Sequence, residues 1–87
     1  MEGESLIVYP TEFPIKIMGR REPRLVQTIV DIVRRHAPDF DAATVAMRTS
    51  KKNSYLSVTC TVRATSREQL DALYQELCDH PSVVLVL

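Results

Sequence analysis

Apolar and polar positions alternate along this chain with two different periods, and the switches between them divide it into elements. From Glu12, the segment EFPIKIMG sets Phe13, Ile15 and Ile17 against Pro14, Lys16 and Met18, the period of two that marks a strand with one buried face. Gly19 is expected to end it. Pro23 lacks the N–H that a first helical residue cannot use, so a helix is expected from there to about Ala37, just before Pro38. Leu25, Ile29, Ile32, Val33 and His36 fall at i, i+4, i+7, i+8 and i+11, with Val26 and Val30 widening the stripe, so this face is expected to turn to the core. Asp31 and Arg35 stand one turn apart on the other side and can pair there.

The runs ATVAMRTS (Ala43 to Ser50) and SYLSVTCTVRA (Ser54 to Ala64) flank the polar Lys51, Lys52 and Asn53 in the manner of a hairpin. In the second run Leu56, Val58, Cys60 and Val62 share one face, and Tyr55, Ser57, Thr59, Thr61 and Arg63 share the other, as in an antiparallel sheet covered on one side. Ser66 and Gln69 have the spacing of a capping box, opening a second helix whose apolar stripe is Leu70, Leu73, Tyr74, Leu77 and Cys78. His80 and Pro81 end it. The closing SVVLVL is apolar at both parities, so it is expected to be buried on both faces, or covered by a partner or the N-terminal arm.

The resulting order, β-α-β-β-α-β without repeats or an internal linker, predicts an α+β, ferredoxin-like fold: a four-stranded antiparallel sheet with two helices on one face. Residues 1–10 are read as an N-terminal arm and 11–87 as a single domain. In that topology the last strand lies at an edge beside the first, where open backbone groups and an apolar face favour pairing with another chain. Val83, Val84, Leu85, Val86 and Leu87 are therefore candidate interface residues, and a homo-oligomer, most simply a homodimer, is expected.

Length and charge narrow the function classes. A chain of 87 residues buries only about two-thirds of its unfolded surface, so self-association would help it. Lys plus Arg and Asp plus Glu stand at 11 each, leaving no net field to draw nucleic acid or anionic lipid. The open sheet face also lacks the stacked aromatic rings of RNA-recognition domains. The chain opens on Met1, Glu2 and Glu4 without a basic leader or long apolar run, so neither a signal peptide nor a membrane span is expected, and a cytoplasmic location is.

Cys60 and Cys78 lack C-x-x-C spacing and fall on expected core faces, where a thiol acts as a small hydrophobe. His36 and His80 have no Cys, Asp or His at ligand spacing and read as structural, so no metal and no cofactor are expected. The acidic residues Glu68, Asp71, Glu76 and Asp79 read as a solvated helix face, able to meet a basic patch on a partner. No paired-carboxylate site, triad, P-loop or dinucleotide fingerprint can be assembled, which argues against an enzyme. What chemistry remains is at Gly19, Arg20, Arg21, Glu22 and Pro23. A loop feeding a helix start offers free N–H groups and a positive dipole end, and two guanidinium groups make it a candidate pocket for a carboxylate or phosphate. Plain solvation of both arginines is the competing reading.

YPTEFPIKIMG, NSYLSVTCTVRATS, LDALYQEL and HPSVVLVL together resemble the YbeD-like family of small bacterial cytosolic proteins, over nearly everything from Tyr9 to Leu87. The resemblance implies a ferredoxin-like domain akin to ACT-type regulatory modules, which bind amino acids or similar ligands between subunits of metabolic enzymes. It brings no activity, and a gene-neighbourhood association with lipoate metabolism. ACT modules carry an acidic or amide residue, then Pro and Gly, near the helix start. Glu22 and Pro23 match in type, whereas Arg24 stands at the Gly position and projects a side chain where ligand would approach the backbone. The function expected is a noncatalytic regulatory or protein-interaction module that self-associates. The alternative is a small-anion or metabolite sensor using the loop between the first strand and first helix.

Overall fold

The computed structural model describes residues 8–50 and 54–87. They form β1 (Thr11–Arg20), α1 (Leu25–His36), a 3-10 turn (Ala42–Thr44), β2 (Ala46–Thr49), β3 (Tyr55–Ala64), α2 (Arg67–Asp79) and β4 (Val83–Val86). The sheet order is β2-β3-β1-β4 with every neighbour antiparallel, so the ferredoxin-like βαββαβ arrangement is what the chain adopts. Most of the expected N-terminal arm and the Lys51 to Asn53 connection lie outside the described residues.

Period-two alternation in β1 and β3 sends Ile15, Ile17, Val58, Cys60 and Val62 to one sheet face. There they are buried with Leu25, Ile29, Ile32 and Val33 of α1 and Leu70, Leu73 and Leu77 of α2. Burial of that apolar area is the main favourable term, at about 25 cal/mol per Å². Cys60 is fully buried, and loss of hydration pushes its thiol up to about 11. Cys78, expected in the core, is exposed. The arc that α2 buries is set by Leu70, Leu73 and Leu77, and Cys78 stands off it on the half-buried side of Tyr74.

Three boundaries differ from the expectation. Gly19 does not end β1, because the ladder continues past it: the Arg20 N–H donates to Ser82 O at 2.9 Å and the Arg21 N–H to Ser54 O at 3.2 Å. The first helix starts at Leu25 rather than Pro23, which lies in the preceding turn. β2 is only four residues long, because Asp41 caps Ala43 N–H at 2.9 Å and winds Ala42–Thr44 into the 3-10 turn.

Pro14 sits inside the ten-residue β1 without loss of a ladder bond. Lys16 exchanges hydrogen bonds with Leu87 (3.2 and 2.8 Å), so alternation turns the Pro14 nitrogen to that same side, beyond the last residue of the chain. β4 holds a bulge: Met18 pairs with Leu85 but Gly19 pairs with Val83, leaving Val84 as the extra residue. The bulge resets the phase, so Val83 and Val86 both pack against the core. This is why SVVLVL is apolar at both parities.

The two helices are tied end to side. Ser66 Oγ accepts from Gln69 N–H at 3.1 Å, as the capping box predicts. The Gln69 side chain accepts from Thr65 N–H at 2.6 Å and donates to His36 O at 2.8 Å, joining the start of α2 to the end of α1. Arg35 does not pair with Asp31, whose carboxylate accepts from Gln27 at 2.8 Å. It reaches across to Glu76, whose other oxygen lies 2.7 Å from His36 Nε2.

Hydrogen bonds from Arg35 and then His36 hold the Glu76 carboxyl at about 2, well below its ordinary 4.5. A carboxyl held low in the folded state contributes stability that is complete above pH 4.5 and is lost as the pH falls toward 2. Glu76→Gln is therefore expected to lower the urea midpoint at neutral pH and to flatten its further fall across that acid window. Parallel wild-type and variant slopes there would contradict the clamp.

Candidate functional site

The structure spreads the segment singled out in the sequence over the end of a strand, a loop and a turn. Gly19 and Arg20 are in β1, Arg21 and Glu22 follow it, and Pro23 sits in the turn before α1. The Arg20 and Arg21 N–H groups, which an anion would use, are taken by Ser82 O on one side and Ser54 O on the other. Glu22 Oε1 accepts from Ser82 Oγ at 3.0 Å, tying this loop to the turn before β4. α1 starts at an N-cap Arg24 with no side-chain cap. Gly19 serves packing: a Cβ there would come within 2.7 Å of Leu25 Cδ1 and 2.8 Å of Ser82 O.

The candidate interface at the chain's end is clearer. Among the described residues β4 pairs with β1 on one side only and ends the sheet order. Val84, Leu85 and Leu87 are 51%, 45% and 63% exposed, while Val83 and Val86 are partly buried against the core. Leu87 spends its N–H and C=O on Lys16, so alternation points those of Val86 to the free edge. The Tyr74 hydroxyl donates to Leu87 O at 3.3 Å, holding the end of the strand to α2.

The sequence sets Tyr55, Ser57, Thr59, Thr61 and Arg63 on the sheet face that the helices leave uncovered, and what sequence reasoning missed is the further cations that join them. Strand register places Lys16 opposite Thr59 and Ala46, and Met18 opposite Ser57 and Arg48, all on that face. Arg20 and Tyr55 form the next row, and Arg63 faces Glu12 at the far end. Two adjoining hollows of about 330 and 230 Å³ lie here, both lined by Lys16, Arg48 and Ser57. The first adds Ala46 and Thr59, and the second Met18, Tyr55 and Leu87. Alternation in β1 and β3 carried the signal for Lys16, Arg20 and Arg63. Arg48 was hidden because a four-residue strand does not announce its parity. Among the described residues no group of three His, Cys, Asp or Glu side chains could hold a metal, and no helix is long and apolar enough to cross a membrane.

A family model described as a protein of unknown function, DUF493, matches residues 4–87. The chain belongs to the DUF493 family. Bacterial relatives share this DUF493 chain's full length: a UPF0250 protein of Nitrosomonas europaea is 54% identical over 87 residues, covering 100% of both chains. A UPF0250 protein of Bordetella pertussis is 56% identical over 84 residues, 97% of this chain and 92% of its own. The YbeD-like resemblance of the sequence is to this same family. Among solved structures, the DUF493 fold is similar to the solution structure of an H. pylori protein, with a TM-score of 0.77 at 15% identity, covering 100% of this chain and 94% of that one. It is similar also to the ACT domain from the GTP pyrophosphokinase of Chlorobium tepidum, with a TM-score of 0.65 at 15% identity over 87% of this chain and 84% of that one. At such identities the likeness shows a shared, ACT-like fold.

Proposed function

We propose that this DUF493 domain is a noncatalytic regulatory module that works through protein association, pairing with a second copy of itself along the free edge of β4. The observation that carries this reading is the exposure of Val84, Leu85 and Leu87 on the strand that ends the sheet among the described residues. Apolar side chains beside unpaired N–H and C=O groups suit β-augmentation, in which main-chain bonds supply the register and side chains the affinity. Antiparallel pairing of β4 with its copy about a two-fold axis closes the assembly at two chains. The likeness to an ACT domain of a metabolic enzyme supports a regulatory setting. The small-anion reading of Gly19 to Pro23 draws less support, because the Arg20 and Arg21 amides are already bonded.

Sedimentation equilibrium over a concentration series tests this. Wild type is expected to approach twice the 9.9 kDa chain mass. Leu85→Lys is expected to weaken dimerisation at least about tenfold, since burying a leucine is worth about 1.5–3 kcal/mol. Val86→Pro, which deletes the N–H facing the free edge, is expected to do the same. A wild-type chain that stays monomeric up to the highest soluble concentration would refute self-pairing.

A further inference from the structure

We infer that the uncovered face of the sheet docks an acidic amphipathic helix from a protein partner. Lys16 and Arg48 would meet its carboxylates, and Met18, Tyr55, Leu85 and Leu87 its apolar stripe. Leu85 and Leu87 also border the β4 edge, but pairing there extends the sheet sideways and leaves Lys16, Met18, Arg48 and Tyr55 open.

Charge is segregated in a chain whose net charge is zero. On the described strands, Lys16, Arg20, Arg48 and Arg63 share the uncovered face with one acid, Glu12, directly opposite Arg63, and Asp39 and Asp41 come beside that same far end, away from Lys16 and Arg48. Neither the Lys16 nor the Arg48 side chain has an ion pair or hydrogen bond among the described residues. Each projects beside Ser57, and both line both hollows. Both cations therefore remain available to an incoming carboxylate, which gains charge-assisted bonds from them.

The geometry favours a helix. Arg48 and Lys16 are on strands that flank β3, one row out of step and about 12 Å apart, close to the diameter of a helix with its side chains. Along one row the face runs from aliphatic to cationic, Leu85, Met18, Ser57, Arg48, and along the next the cation stands beside the aliphatic end, Leu87, Lys16, Thr59, Ala46. A helix with an apolar stripe bordered by acids matches that gradient, and laying it on the sheet supplies the missing third layer.

Other occupants match less well. A drug-sized ligand needs a concave site that buries most of its surface, whereas these hollows lie on the open sheet. A nucleic acid would want stacking rings, and Tyr55 is the single aromatic side chain on this face among the described residues. The acidic α2 of a second copy has already spent its apolar stripe on its own core, and would build an open-ended chain.

The test is a titration of the full-length, nitrogen-15-labelled chain with a synthetic helical peptide bearing leucines at i, i+3, i+4 and i+7 bordered by glutamates. Controls are a peptide with serine for leucine and a single-stranded oligonucleotide. Saturable shifts at Lys16, Met18, Arg48, Ser57 and Thr59 are expected, with binding about tenfold or more weaker for Lys16→Glu/Arg48→Glu. A lysine-for-glutamate peptide is expected to prefer that variant, a rescue that a merely unfolded protein cannot show. The inference is overturned if shifts miss this face, if the serine peptide binds as well as the leucine one, or if the oligonucleotide binds the face more tightly.

Discussion

Truncating Ile17 to alanine is expected to lower the unfolding free energy by about 2–5 kcal/mol. Ile17 is 0% exposed and stands where the sheet is most enclosed, between Val58 of β3 and Val86 of β4, under the buried stripes of both helices. Removing three carbons there forfeits their transfer free energy and leaves a void that strands held by ladder bonds on both sides cannot collapse into. A domain of this size is stable by only about 4–13 kcal/mol, so the loss is a large share of the whole. Ile17→Val, which keeps most of the volume, is expected to cost about 0.5–1.5 kcal/mol. Urea denaturation of both variants checks the graded response. An alanine variant within about 1 kcal/mol of wild type would mean that the centre of this core is not where the register puts it.

Gly19→Ala is expected to cost about 1–3 kcal/mol, although alanine usually improves on glycine within a strand. The reason is space and not backbone freedom, because the Gly19 backbone is not left-handed. The new methyl would meet Leu25 Cδ1 at 2.7 Å and Ser82 O at 2.8 Å. The leucine can turn aside, but the carbonyl is held by the Arg20 N–H at 2.9 Å. Trimming the side chain in Gly19→Ala/Leu25→Ala should therefore recover part of the coupling and leave the carbonyl contact in place. Thermal or urea unfolding of the two single variants and the double variant measures it. A neutral or stabilising Gly19→Ala would show that α1, β1 and the Ser82 turn do not meet this closely.

Much of the fold could be read from local pattern. The alternation in EFPIKIMG and SYLSVTCTVRA, the Leu25 to Val33 stripe and the Ser66–Gln69 cap each depend on residues close in sequence, and each lies where the pattern places it. What escaped depends on pairs far apart in the chain. Arg35 has an acid one turn away, yet its partner is Glu76 across the helix pair. The bulge at Val84 exists only once β4 is laid against β1. Gly19 looked like a loop glycine because Leu25 and Ser82 converge on it only in three dimensions. The cationic face was hidden for the same reason, since Lys16 and Arg48 become neighbours across β3 only when three strands are in register.

Pro14 bears on how the sheet can grow. Any segment that comes alongside the first half of β1, from this chain or another, must forgo a donor in the middle of its register, because proline has none to give. Val86 keeps its own, turned outward by alternation from Leu87. New strands are steered to the outer flank of β4, and entry on that same side beside the first half of β1 is discouraged by a single ring.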